Sequence, residues 1–196
     1  MYVDVKDETR KAYEHIVHRR KPNVFLGLIK SKLIADIGCG SGQNCAFLKE
    51  KGKDVICLDF STKQLYESKK KGCENLILAD MEFLPFRDSS MECLLYIASL
   101  HHLPNPSKAL EEAWRSLKVN GEILATVWLI RPLTFKRNAL LESKIENSVY
   151  RRFIHFYLPY ELECRMKKAG FKKEKYALYR VKSLLPNNAF FLGVKT

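Results

Sequence analysis

Between residues 33 and 128 the chain alternates short unbroken apolar runs with stretches whose apolar residues recur every three or four positions. The runs are Leu33–Ile37, Asp54–Phe60, Asn75–Asp80, Cys93–Leu100 and Glu122–Trp128. Thr62–Lys71 and Ser107–Lys118 carry the helical pattern, the second with Ala109, Leu110, Ala113, Trp114 and Leu117 on one face. Unbroken runs suit strands covered on both faces, and amphipathic segments between them suit crossover helices. The predicted class is therefore α/β, a doubly wound, Rossmann-like parallel sheet.

The flanks are less regular. Residues 1–30 predict an N-terminal helical segment, with Tyr13, Ile16 and Val17 apolar and a basic cluster at His18–Lys21 broken by Pro22. Residues 131–158 show no clean period and are rich in arginine and aromatics, as an inserted substrate-side segment would be. Pro159–Ala169 predicts a helix stopped by Gly170. Phe171–Lys182 and Ala189–Lys195 alternate about a Pro186-Asn187-Asn188 turn, which predicts an antiparallel hairpin finishing the sheet. Residues 1–196 are read as one domain.

Charge divides the chain. Of the formal net +12, residues 131–196 hold +10, from 15 basic and 5 acidic side chains. Such asymmetry points to a polyanionic partner, and reads equally well as a solvated lysine-rich face. The N-terminal MYVDVKDETR is charged with no apolar stretch after it, so no secretory leader is expected. Cys93–Leu100, the longest apolar run, is far short of a membrane span. The six cysteines form no CxxC pair and sit mostly in apolar stretches, where a thiol acts as a small hydrophobe. A reduced, cytoplasmic setting without a zinc site is expected.

The most specific motif is Asp36-Ile37-Gly38-Cys39-Gly40-Ser41-Gly42, between the first strand and a helix. Its glycines permit a sharp turn and close approach of a ligand to the main chain. A pyrophosphate gains nothing from a neighbouring carboxylate such as Asp36, whereas a cationic ligand does. Asp59 ends the second strand, where doubly wound folds bind ribose hydroxyls through a carboxylate. Asp80 ends the third, placed to accept from an adenine amino group, with Met81 packing on the ring. Three acids around a glycine turn suit a ligand with ribose, adenine, an amino group and a sulfonium, and no phosphate.

This constellation, over about Leu33–Trp128, resembles the class I S-adenosylmethionine (SAM)-dependent methyltransferases. The resemblance implies a seven-stranded, mostly parallel sheet with an antiparallel last strand. It implies SAM as cofactor, held by Asp36, Gly38, Gly40, Gly42, Asp59, Asp80, Met81 and Ala98. After the fourth strand the chain reads Tyr96-Ile97-Ala98-Ser99-Leu100-His101-His102, without the Asn-Pro-Pro-Tyr-like tetrapeptide of enzymes that methylate exocyclic amines.

Further elements narrow the resemblance. IASLHH, the VW closing strand five, Arg152-Phe153-Ile154-His155-Phe156-Tyr157 before Glu161-Leu162, and Arg19-Arg20-Lys21-Pro22 are similar to motifs of the eukaryotic tRNA wobble-uridine carboxymethyl methyltransferases. That family includes the methyltransferase domain fused to an AlkB-type tRNA hydroxylase. Its Trp-Pro after Lys-Pro is Asn23-Val24 here, and its Arg-Tyr-Tyr-His is Arg152-Phe153-Ile154-His155. The resemblance implies methylation of the carboxylate of 5-carboxymethyluridine at the tRNA wobble position. It implies Arg19, His101, His102, Arg152 and His155 on the acceptor side, and leaves open which histidine faces the acceptor. It also implies a small zinc-binding methyltransferase activator subunit as heterodimer partner.

A carboxylic acid is ionised near neutrality, so its oxygen attacks without a base, and arginine or histidine act as positioners. The basic C-terminal third, including Lys136, Arg137, Lys172 and Lys175, is then expected to track the phosphates of the anticodon stem-loop. Tyr150, Phe153 and Tyr157 are candidates to stack on its bases. The competing reading is a small-molecule methyltransferase acting on a quinone or lipid.

Overall fold

Leu33–Ile37 (β1) lies at the centre of the sheet in a computed structural model that describes residues 4–18, 20–130 and 136–196. Beside it run β2 (Asp54–Asp59), β3 (Asn75–Leu78), β4 (Met91–Ile97) and β5 (Leu117–Trp128), all parallel. Two later strands, β8 (Phe171–Tyr179) and β9 (Asn188–Lys195), complete a seven-stranded sheet of order β3-β2-β1-β4-β5-β9-β8. Only β9 runs against the rest, pairing Trp128 with Asn188 on one side and Phe171 with Lys195 on the other. The expected fold is borne out. Strand order reverses beside β1 and β4, so their C-terminal ends open the crevice in which such sheets hold ligands.

The unbroken apolar runs have a direct cause. Successive strand residues face opposite sides, so a strand covered on both sides needs apolar residues at every position. In β4, Leu94 and Tyr96 enter one core with Leu110, Ala113, Met166 and Phe191, while Cys93 and Leu95 enter the other with Ile34, Leu48, Val55 and Phe190. The first core lies under α4 (Ser107–Ser116) and α5 (Glu161–Lys168), the second under α2 (Gln43–Glu50) and α3 (Thr62–Lys69).

The N-terminal segment forms α1 (Val5–Tyr13). Asp4 caps it by accepting from the Lys6 and Asp7 amides, with acids in the first turn and bases in the last. Residues 138–155, read as irregular, form a separate hairpin of β6 (Asn138–Ile145) and β7 (Ser148–His155). Its period is hidden because consecutive Arg152, Phe153, Ile154 and His155 are all buried, mixing charge with apolar packing. The hairpin rests on α1, where the Phe153 amide donates to Thr9 Oγ1 at 2.9 Å.

Two features bear on the cysteines and on the charge. Cys45 of α2 and Cys57 of β2 are joined as a disulfide, with Cα atoms 6.5 Å apart. Twelve residues separate them, and packing of α2 on β2 brings them together, which no CxxC pattern signals. The basic third is also partly neutralised internally: Lys167 and Lys173 both pair with Glu163 at 2.7 Å, and Arg137 and Arg165 both reach Glu161. Lys172 and Lys175 lie exposed on the edge strand β8, where lysine discourages edge-to-edge association. Among the described residues no helix is long and apolar enough to cross a membrane.

Candidate active site

The glycine turn is built as the motif requires. Gly38, Gly40 and Gly42 all have positive φ, at 74°, 54° and 77°. A Cβ on Gly38 would stand 2.7 Å from Ser99 Cβ, so both the dihedral and the packing exclude a side chain there. The Gly38 and Cys39 amides donate to Leu58 O. Asp59 anchors the turn, its Oδ2 accepting from Gly40 N at 2.8 Å and its Oδ1 from Ser61 N at 3.0 Å.

A cavity of about 750 Å³ opens above these strand ends, with Gly38, Gly40, Asp59, Asp80, Met81 and Ala98 in its wall. Ala98 adopts φ 55°, held by its amide donating to Thr126 O and Oγ1 at 3.0 Å. Such a left-handed alanine directly after β4 is strain stored at the site. Gly42 and Asp36 lie behind the wall. Asp36 is fully buried; its Oδ2 accepts from Asn44 Nδ2 at 3.3 Å and its Oδ1 has no partner. Burial pushes Asp36 up to about 7 and Asp59 up to about 6, and the two carboxylates reinforce the effect at Asp36. Two desolvated carboxylates and one orphaned oxygen fit a cationic ligand. Asp80 is not free: Lys6 of α1 bridges it to Glu82, so α1 is latched across the adenine end of the cavity.

The opposite wall is made by α1, the segment after it, and the ends of β4 and β5. His102 belongs to this wall and His101 does not. Phe153 O accepts from His102 Nδ1 at 2.8 Å, so Nε2 is left to accept the Tyr13 hydroxyl, also at 2.8 Å. His101 lies behind, stacked on Trp128 with centroids 4.7 Å apart, and its Nδ1 has no partner. On the Trp128 ring also rests the Arg20 guanidinium, 5.8 Å from the centroid. His18 Nε2 accepts from Arg152 Nη1. Burial, with Arg20 and Arg152 adding repulsion, holds His18 and His102 down at about 4 and His101 well below its usual value. All three imidazoles are neutral at pH 7.

The remaining acceptor-side expectations divide. Arg152 is buried behind Tyr13 and His18, and its Nε has no partner. His155 is engaged elsewhere: Nδ1 meets Asn138 Oδ1 at 2.7 Å and Nε2 meets Glu161 Oε1 at 3.1 Å, tying β7 to β6 and α5. It is a structural histidine outside the cavity wall. Arg19 lies outside the described residues. Phe153 and Tyr157 are core residues, and Tyr150 stacks on His15 at 4.2 Å, so these rings are not displayed for base stacking as expected. Tyr13, His18, Arg20 and Trp128 were not singled out as site residues. For Trp128 the signal was available, since it ends β5 at the ligand-bearing edge.

Comparison with known proteins agrees with this geometry. A family model described as a methyltransferase domain matches residues 35–125. A Methanocaldococcus jannaschii protein of unassigned function is 30% identical over 191 residues, covering 85% of this chain and 74% of that one. The tRNA methyltransferase 9B of Bos taurus is 28% identical over 132 residues, 64% of this chain but only 28% of its own length. A ubiquinone/menaquinone biosynthesis C-methyltransferase of Rickettsia prowazekii is 29% identical over 137 residues, 63% of this chain and 50% of its own. Among solved structures, a SAM-dependent methyltransferase of Methanosarcina mazei superposes with TM-score 0.76 at 18% identity, covering 90% of this chain and 99% of that one. A Haloferax volcanii methyltransferase in complex with its Trm112 activator gives TM-score 0.64 at 15% identity, over 97% and 90% of the two chains.

Proposed function

We propose that this chain, whose residues 35–125 match a methyltransferase-domain model, is a class I S-adenosylmethionine-dependent methyltransferase that transfers the methyl group to an anionic acceptor, the carboxylate of 5-carboxymethyluridine at the tRNA wobble position. One observation carries this reading. Two guanidiniums, Arg20 on the wall and Arg152 behind it, have no carboxylate partner among the described residues, and the imidazoles between them are neutral. Arg152 is a buried cation without a counter-ion, and Arg20 is an exposed one on the cavity wall; both favour an anion supplied by the substrate.

S-adenosylmethionine supplies an electrophilic methyl on a sulfonium. Asp59 and the glycine turn would hold its ribose and amino-acid portions, Asp80 and Met81 its adenine. The chain's own residues then have three tasks. Arg20 draws in and orients the acceptor carboxylate, while Tyr13 and His102, locked to each other and to Phe153 O, fix the floor on which it rests. Trp128 and the buried histidines exclude water. No residue need remove a proton, because the acceptor oxygen is already ionised at pH 7. The neutral imidazoles agree with positioning rather than with a proton switch near neutrality.

A quinone- or lipid-type acceptor is the second reading, favoured by the exposed Val24 and Val181 at the cavity mouth. Incubation with labelled cofactor and tRNA lacking the ester, followed by mass spectrometry of the wobble nucleoside, distinguishes the two. The methyl ester is expected on that nucleoside. Label recovered only in an organic-soluble small molecule would refute the tRNA reading. The same assay with and without an activator subunit tests the proposed heterodimer.

A further inference from the structure

Four cysteines gather beneath the glycine turn, and methyl transfer as described uses none of them. Cys39 sits within the turn and touches the cofactor cavity, Cys45 is in the first turn of α2, Cys57 is in β2, and Cys73 is buried nearby. The sulfurs of Cys39, Cys45 and Cys57 all lie within 4.8 Å of one another. All three residues are buried, at 5%, 0% and 1% exposure, among Ile34, Leu48, Val55 and Leu95.

We propose that, once the Cys45–Cys57 disulfide is reduced, Cys39, Cys45 and Cys57 form a three-thiolate site for a soft d10 cation such as Cu(I) or Cd(II), reached through the empty cofactor cavity. The geometry supports three-coordination. Metal–sulfur bonds of about 2.3 Å in a trigonal plane place sulfurs about 4 Å apart, inside the 4.8 Å that bounds these three, and opening the Cys45–Cys57 bond lets that pair separate to it. Thiolates select soft cations, and an apolar lining gives no hard oxygen donor to compete. Asp36 is the exception: its Oδ2 lies 3.6 Å from Cys45 Sγ. Metal binding to thiols releases their protons, so the cation itself must displace them. The balance is three thiols and one cation giving one tris-thiolate complex and three protons. The two electrons that open the disulfide come from a thiol or phosphine reductant.

Only Cys39 of the three lines the cavity. Cofactor therefore covers the entrance, and a cation drawing Cys39 inward pulls the glycine turn away from the geometry that holds cofactor. Cation and cofactor are mutually exclusive on this account, each weakening the other by the same factor.

The test uses full-length protein reduced with a phosphine, desalted without oxygen and titrated with Cd(II), followed by thiolate-to-metal charge-transfer absorption. One equivalent is expected to bind, and saturating S-adenosylhomocysteine is expected to weaken it. Cys39→Ser should lower affinity by more than roughly tenfold, while Cys164→Ser, at an exposed cysteine remote from the cluster, should leave the titration unchanged. Peptide mapping needs no variant: Cd(II) should protect Cys39, Cys45 and Cys57 together from alkylation after unfolding is triggered in its presence. An unchanged titration in Cys39→Ser, loss of the band in Cys164→Ser, or protection of fewer than three of these cysteines would overturn the site. Indifference to S-adenosylhomocysteine would overturn the route through the cavity.

Discussion

Replacing Asp36 with asparagine should make the cofactor-free protein more stable, and the size of the gain should depend on pH. The fully buried carboxyl is raised from 3.8 to about 7, chiefly by desolvation. A raised acid pKa means that the folded state binds the proton more tightly than the unfolded chain does. Its contribution is thus complete below pH 3.8 and is lost as pH rises to about 7, where the loss levels off. Three units at about 1.4 kcal/mol each put the full penalty near 4 kcal/mol. Asparagine keeps the shape and titrates nowhere, so the variant's advantage should widen by about 2 kcal/mol between pH 5 and 7 and level off by pH 8. His18 and His102, held at about 4, contribute with the opposite sign over pH 4 to 6.5, but they are common to both proteins and cancel in the difference. Urea unfolding of both cofactor-free proteins at pH 5, 6, 7 and 8 measures it. A difference that does not change with pH, or one favouring the wild type increasingly at high pH, would refute the assignment of a strained, desolvated carboxylate at Asp36.

Gly38→Ala should abolish cofactor binding and cost about 1–3 kcal/mol, read by calorimetry and thermal melting, because the new Cβ meets Ser99 at 2.7 Å in a left-handed residue. Arg20→Ala should lower kcat/KM for a carboxylate acceptor by roughly 10–100-fold, about 1.4–2.7 kcal/mol, with cofactor affinity unchanged by titration. His155→Ala should lower the melting temperature through its lost bonds to Asn138 and Glu161, about 1–3 kcal/mol, while leaving cofactor affinity intact. The affinity for tRNA should fall steeply with salt, and a flat dependence in a filter-binding series would remove the electrostatic role assigned to the basic third.

What the sequence disclosed followed from local rules. Strands covered on both faces must be apolar throughout, so β1, β2, β4 and β5 stand out, and acids at their ends fall where doubly wound sheets hold ligands. β5 begins five residues before its apolar run, at Leu117, because its exposed start Lys118–Asn120 carries no hydrophobic signal. The β6–β7 hairpin was illegible since its buried face is made by α1, more than 130 residues away, and includes the charge of Arg152. Tyr13 gave only the signal of an apolar helix position; its role depends on meeting His102, which no periodicity encodes. His155 reads like a site histidine by residue type, yet Glu161, the first residue of α5, bonds it.

The bond from Phe153 N to Thr9 Oγ1 spans 144 positions of chain, and His102 reaches 51 positions to the Phe153 carbonyl. The cofactor cradle, by contrast, is assembled within residues 36–98. Contacts closing such long loops form late and slowly in folding. The order of assembly follows: the glycine turn and its acids settle first, and the acceptor wall closes once α1 finds the hairpin. The α1–hairpin seam is expected to open before the central sheet, read as faster hydrogen exchange of the Phe153 amide than of the β1 and β4 amides.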